Sequence, residues 1–256
     1  MEVSPLFNYK LTLEYDGSKF YGWQVQPGLR TVQGEVENAL QILFREPIRV
    51  NVAGRTDTGV HAIGQVINFR TALASPVTDL PRSLNGILAH DVVVKRLEMM
   101  PADFHARHDA KSRQYFYMLS KFPVAIGRHY AFFWKYPLAV AAMREASEYL
   151  LGEHDFRAFC DTNTEDPHYL SQMEMIAWEE SDERIKLTIR ANRFLRSMVR
   201  IIVGTMIDVG RGQLARHLHE LQAVQLQPAP FQPGDNLPDQ PALHTIGLHE
   251  NKCLLH

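Results

Sequence analysis

Apolar and polar residues alternate near the start of the chain: Tyr9, Leu11, Leu13 and Tyr15 fall on one face, and Lys10, Thr12 and Glu14 on the other. That period of two predicts a half-buried strand, ended by Asp16-Gly17. The spacing then lengthens. Val32, Val36, Leu40 and Leu43 recur at helical intervals behind Thr31, a residue suited to an N-cap. Short strands are predicted at Ile48–Val52 and Gln65–Arg70, on either side of a glycine-rich segment from Ala53 to Gly64. A helix over 79–89 carries Pro81 in its first turn, and a strand follows at Asp91–Leu97.

The second half reads in the same idiom. It predicts an aromatic strand at Tyr115–Leu119, a helix at Leu138–Leu151 stopped by Gly152, and an antiparallel pair at Met173–Trp178 and Ile185–Ala191. A long apolar helix at Phe194–Val209 and an amphipathic one at Gln213–Val224 come next. Five prolines between Pro228 and Pro241 mark an extended loop before a last strand near Ile246–Leu255. Strands and helices mix without strict βαβα order, which predicts an α+β fold with a largely antiparallel sheet. Neither a linker nor an internal repeat is visible.

Composition narrows the class. With 256 residues, 45% hydrophobic and 22% charged, the chain is that of an ordinary globular protein. A chain of this length buries roughly 70–75% of its unfolded surface, so folding requires neither metal nor disulfides. Cys160 and Cys253 stand far apart and read as inert thiols of a reducing compartment. No signal peptide and no bilayer-spanning apolar run is evident, so a cytoplasmic protein with no membrane partner is expected.

The net charge of −2 lacks the basic signature of a polyanion-binding protein, but it averages two opposed blocks. From Arg184 to Arg216, eight Lys/Arg stand against Asp208 alone; from Asp161 to Glu183 there are eight acids and no Lys/Arg. Two solvated faces that offset one another account for these counts. Arg193, Arg196 and Arg200, however, sit among apolar residues, where an arginine either snorkels or points into a cleft for an anionic ligand.

The richest stretch for chemistry is Gly54-Arg55-Thr56-Asp57-Thr58-Gly59-Val60-His61-Ala62, between two predicted strands. Glycines there permit a sharp turn and close approach of a ligand. Asp57 reads as a turn-former bonded to its own backbone, or as a lone nucleophile or general base held ionised by a nearby arginine. Asp57-Thr58-Gly59 is also an aspartic-protease tripeptide. That chemistry needs two carboxylates, and with no second copy in the chain it would require a symmetric dimer. No phosphate-binding loop, dinucleotide fingerprint or nucleophile elbow is present. His105/His108 and His217/His219 lack the company of a zinc site and read as surface residues.

The Asp57 stretch resembles the tRNA pseudouridine synthase A family. So do Tyr15-Asp16-Gly17-Ser18-Lys19-Phe20-Tyr21-Gly22-Trp23-Gln24 with Thr31-Val32-Gln33, Phe104-His105-Ala106-Arg107, and Arg113-Gln114-Tyr115-Phe116-Tyr117. Gly152-Glu153-His154-Asp155-Phe156 and Phe194-Leu195-Arg196-Ser197-Met198-Val199-Arg200, with Gly204 and Val209-Gly210, extend the likeness in order along the chain. Thr58 stands where the family usually has alanine, and 241–248 follows the last family motif only loosely.

The resemblance implies a pseudouridine synthase fold: two ferredoxin-like (RRM-like) halves sharing a largely antiparallel sheet, with helices packed on it and a cleft between them. The halves would be residues 1–105, with the Asp loop, and 106–256, with the aromatic strand and basic helix. It implies a homodimer, without cofactor, that isomerises uridine to pseudouridine at positions 38–40 of the tRNA anticodon stem-loop. Asp57 falls on the nucleophile, Arg200 on the basic residue that pairs with it, Arg55 on the arginine assisting base extrusion, and Tyr115 on the tyrosine that stacks on the base. Arg193 and Arg196 would hold phosphates, with the basic block lining the RNA cleft and the acidic block facing away. An RNA-binding module without activity is the alternative, and the RRM aromatic signature it requires is absent.

Overall fold

The computed structural model describes residues 7–74, 79–161, 168–214 and 243–245. They belong to two compact units, one of residues 1–111 with 243–256 and one of residues 112–242. The sequence-based division at 105/106 falls short of this boundary because the segment after Met100 is tied to the first unit. Asn8 Nδ2 donates to the carbonyls of Pro101 and Phe104, both at 2.9 Å, and the Ala106 N–H donates to Asn68 Oδ1 at 2.9 Å.

The first unit runs β1 (Phe7–Tyr15), α1 (Val32–Phe44), β2 (Val50–Val52), β3 (His61–Thr71), α2 (Leu80–Ile87) and β4 (Val92–Met100). These strands pair antiparallel in the order β4-β1-β3-β2. A β-α-β-β-α-β run in that order is ferredoxin-like. The predicted alternation of β1 holds: Tyr9, Leu11, Leu13 and Tyr15 are buried against Val36, Leu40 and Phe44 of α1 and Leu80 and Leu84 of α2. Thr31 caps α1 by accepting from the Gly34 N–H, and Asp79 caps α2 by accepting from the Arg82 N–H. β3 begins four residues before the predicted strand, at His61. Part of the glycine-rich segment is therefore strand, and this shortens the Asp57 loop to residues 53–60.

The second unit runs β5 (Arg113–Ser120), β6 (Phe132–Phe133), α3 (Val140–Glu148), β7 (Gly152–Asp155), β8 (Leu170–Glu180), β9 (Arg184–Ala191) and α4 (Met198–Gly210). Its strands pair antiparallel in the order β5-β9-β8-β7, with β6 added parallel to β5. The run β5-α3-β8-β9-α4 repeats the β-α-β-β-α order of the first unit, a repeat the residues themselves do not display. Its core joins Leu187, Ile189 and Ala191 of β9 to Val140, Met143 and Ala146 of α3 and Ile202, Val203 and Met206 of α4. A last strand, β10 (Leu243–Thr245), returns to the first unit and pairs in parallel with β3.

The α+β class and antiparallel pairing are as expected, and the differences continue toward the C-terminal helices. α4 begins at Met198 and not at Phe194, because Ser197 adopts the left-handed conformation (φ 61°) that a continuing helix excludes. Arg193 and Arg196 are thus loop residues, and Arg200 alone of the three is helical. Gln213 and Leu214 lie in a bend. The rest of the predicted helix to Val224, the proline-marked loop and the strand at Ile246–Leu255 fall outside the described residues.

Candidate active site

A tight turn presents Asp57. The Val60 N–H donates to the Asp57 carbonyl at 3.2 Å, and Gly59 takes φ 78° at the third position, where a side chain would be strained. The segment leaving β1 lies directly against this turn, backbone to backbone. The Gly59 N–H donates to the Phe20 carbonyl (3.2 Å), and the Trp23 N–H to the Thr56 carbonyl (2.9 Å). A Cβ at Gly17 would stand 2.0 Å from the Val60 carbonyl oxygen, and one at Gly22 2.8 Å from the Thr56 oxygen. Glycine at both positions is what lets the two segments meet.

The bracing segment is itself anchored. Arg30 forks onto Asp91 at 2.6 and 2.9 Å, reaches Glu35 at 2.8 Å, and lies 4.1 Å over the Phe20 ring. Hydrogen bonds from that guanidinium hold the Asp91 carboxyl below its ordinary range. Asp16 Oδ1 lies 2.9 Å from Nδ1 of buried His61, and the Gly17 N–H lies 3.1 Å from the same nitrogen.

The core side of the turn is tied to two buried polar residues. Tyr15 Oη is 2.8 Å from Thr56 Oγ1, and Gln65 Nε2 donates both to Tyr15 Oη (3.2 Å) and to the Gly54 carbonyl (2.8 Å). Burial pushes the Tyr15 phenol up to about 12, and the bonds from Thr56 and Gln65 offset only part of that rise. The folded state therefore keeps Tyr15 neutral where an unfolded tyrosine, near 10, already ionises. The resulting stabilisation is complete below pH 10 and is lost as pH rises toward 12. Alkaline denaturation followed by circular dichroism is expected to show this loss, and Tyr15→Phe to remove its share. Identical alkaline limbs would contradict the assignment.

Asp57 itself is exposed, and among the described residues its carboxylate has neither a hydrogen-bond nor an ion-pair partner. The turn-former expectation is met by its backbone carbonyl and not by its side chain. Arg55 is also exposed, and no ion pair joins it to Asp57, unlike the close arginine contact that the sequence suggested.

The second unit carries the other candidates. Tyr115, only 7% exposed, is a core residue of β5 with its ring edge-on to Phe194 at 4.7 Å. Tyr117 shares its face. Burial raises the Tyr117 phenol, and the positive charge of exposed Arg200 offsets part of that rise. Arg193 is half-buried and Arg196 exposed, with Arg196 Nε 3.4 Å from Asp161 Oδ2.

The charge blocks are not set on opposite sides. β8 and β9 are neighbours, which brings Lys186 to 3.3 Å from Glu179 and Arg190 to 3.0 Å from Glu174. Strand pairing cancels part of the basic block, contrary to the expectation that the acidic stretch faces away. Among the described residues no three His, Cys, Asp or Glu gather to hold a metal.

Comparison with known proteins bears directly on the Asp57 loop. Residues 12–109 and 146–240 match the family described as tRNA pseudouridine synthase. The chain is 42% identical over 210 residues to tRNA pseudouridine synthase A of Bacillus licheniformis, covering 80% of this chain and 85% of that one. Against the Bacillus subtilis protein of the same name it is 43% identical with the same coverage. The Halalkalibacterium halodurans protein is 45% identical over 207 residues, covering 79% of this chain and 78% of its own.

The chain belongs to the tRNA pseudouridine synthase family.

It is therefore an isomerase acting on uridine in tRNA. Membership displaces both the dimeric protease and the idle RNA-binding module. Among the described residues no helix is long and apolar enough to cross a membrane. The synthase motifs mark Asp57 and Arg55 as site residues but assign no role to Gly17 and Gly22, which lie within them, or to buried Gln65, all of which shape the loop. Two glycines five residues apart, directly after a strand, were the available signal.

Proposed function

We propose that this synthase acts at positions 38–40 of the tRNA anticodon stem-loop, with Asp57 as its nucleophile. The observation that carries the role is an exposed carboxylate, unpartnered among the described residues, on a turn braced from two sides. The reaction breaks the C1′–N1 bond of uridine, turns the uracil, and joins C1′ to C5; C5 loses a proton and N1 gains one. Such a base must first leave its stack, which costs a few kcal/mol. Arg55, exposed two residues before Asp57, assists extrusion by occupying the vacated space. Arg193 and Arg196 bind phosphates, Arg196 exchanging Asp161 for RNA.

Tyr115, whose ring meets Phe194 at 4.7 Å, stacks on the uracil and helps move its proton. The working enzyme is a cytoplasmic homodimer. The deciding experiment maps pseudouridine in a tRNA transcript after incubation with the purified chain. Modification confined to 38–40 supports the site assignment, and modification elsewhere in the tRNA overturns it. For Tyr115→Phe, which keeps the ring and removes the hydroxyl, single-turnover tritium release from 5-labelled uridine is expected to slow about 10²-fold at unchanged tRNA affinity. An unchanged rate would remove Tyr115 from proton transfer.

A further inference from the structure

Gln65 is fully buried on β3, and a carbonyl fixes the orientation of its amide. The atom 2.8 Å from the Gly54 oxygen must donate, so it is Nε2, and the same nitrogen donates to Tyr15 Oη. The phenol oxygen therefore accepts. Its own hydrogen is buried, and among the described residues Thr56 Oγ1, at 2.8 Å, is the acceptor left to receive it. The chain of bonds has one direction: Gln65 N–H to Tyr15, Tyr15 O–H to Thr56. Two points of the loop, Gly54 and Thr56, are thus tied to one buried pair, and Asp57 is the next residue along.

Stability does not call for this arrangement. Gln65 Oε1 is buried without a partner among the described residues, and turning the amide over would only aim it at the Gly54 carbonyl. The Tyr15 ring already packs in the core, 6.2 Å from Trp23, where a phenylalanine would pack as well. Replacing both members of a buried hydrogen bond by apolar groups of similar shape is close to neutral for folding. What apolar groups cannot supply is direction, since a hydrogen bond fixes both distance and angle.

We propose that Gln65, Tyr15 and Thr56 are positioning residues for the isomerisation, a one-way hydrogen-bond relay that holds the loop backbone so that the Asp57 carboxylate meets the nucleotide in the reacting geometry. This rests on the reading of Asp57 as the nucleophile. The relay works from the core side, while the backbone bonds from Phe20 and Trp23 work from the outer side. Loss of the relay leaves the loop folded but lets its carboxylate wander, and misplacement by about 1 Å costs on the order of 10²-fold in rate.

The test compares four full-length variants, Tyr15→Phe/Thr56→Val, Thr56→Val, Thr56→Ser and Asp57→Asn. It measures cooperative melting, tRNA affinity by filter binding, and single-turnover tritium release at saturating enzyme. The double variant is expected to melt cooperatively, to bind tRNA within about twofold of the parent, and to turn over about 100-fold more slowly. Thr56→Val alone should be as slow as the double variant, since both break the same bond. Thr56→Ser, which keeps the hydroxyl, should stay within about threefold of the parent. Parental rates in the Val variants would overturn the proposal, as would a loss confined to tRNA affinity or matched by the fraction unfolded. Asp57→Asn separates the two readings. If it is inactive while the Val variants run at full speed, only the relay fails; if it retains parental activity, the nucleophile assignment fails first.

Discussion

Asp57→Asn is expected to abolish pseudouridine formation while leaving the protein as stable as the parent. Loss of a nucleophile lowers turnover on the order of 10⁴–10⁶-fold, because the remaining groups can bind and orient the substrate but cannot form the bond to it. Stability is spared for a structural reason. The turn at residues 57–60 is closed by the Asp57 carbonyl, and the carboxylate is exposed with no partner among the described residues. Surface substitutions of that kind stay within about 0.5 kcal/mol. Melting temperature and tRNA affinity should therefore match the parent while tritium release from 5-labelled uridine falls to background. Release at the parental rate would remove Asp57 from the chemistry. A large drop in melting temperature would instead show that its side chain supports the turn.

Gly17→Ala has the opposite profile, a loss of stability and activity together at a residue with no chemistry. The added methyl would lie 2.0 Å from the Val60 oxygen, 2.4 Å from its carbon and 2.9 Å from its nitrogen. All three are backbone atoms of the Asp57 turn, so no side chain can swing aside. Either the β1 exit segment lifts away, giving up its bonds from Phe20 and Trp23, or the turn moves and carries Asp57 with it. Forced overpacking of this kind costs about 1–3 kcal/mol, and displacement of the turn about 10²-fold in rate. The control is Gly86→Ala in α2, where nothing lies within 4 Å of the new methyl. That change removes a helix glycine and should raise stability by up to about 1 kcal/mol. Urea denaturation and turnover measured on both variants settle the point, and equal behaviour of the two would refute the close approach seen at Gly17.

The strand at Tyr9–Tyr15 and the helix behind Thr31 were legible because one face of each is buried, and burial imposes a period. α4 shows where that signal misleads. Phe194 and Leu195 continue the apolar pattern, yet both pack on the core from a loop, and the left-handed Ser197 delays the helix to Met198. Hydrophobic periodicity reports what is buried and not the backbone that buries it. Charge along the chain misleads in the same way. Lys186 and Arg190 belong to a basic block only in sequence; the partner strand sets Glu179 and Glu174 against them. Net charge along a chain cannot foresee a hairpin that folds one block onto the other.

Composition and local motif were enough to establish that this chain is a globular α+β protein and that Asp57 sits on a glycine-bracketed turn with the residues of a pseudouridine synthase around it. Those properties are local: a turn needs its glycine, a nucleophile needs its carboxylate, and both are read from a few consecutive residues. Folding alone decided that Tyr15, fifteen residues into the chain, and Gln65, fifty residues further on, share hydrogen bonds beneath that turn, and that Gly17 and Gly22 lie flat against it. Such contacts join β1, β3 and the loop between strands through sheet pairing, and pairing is fixed by the whole hydrophobic face of the sheet and not by any motif within it.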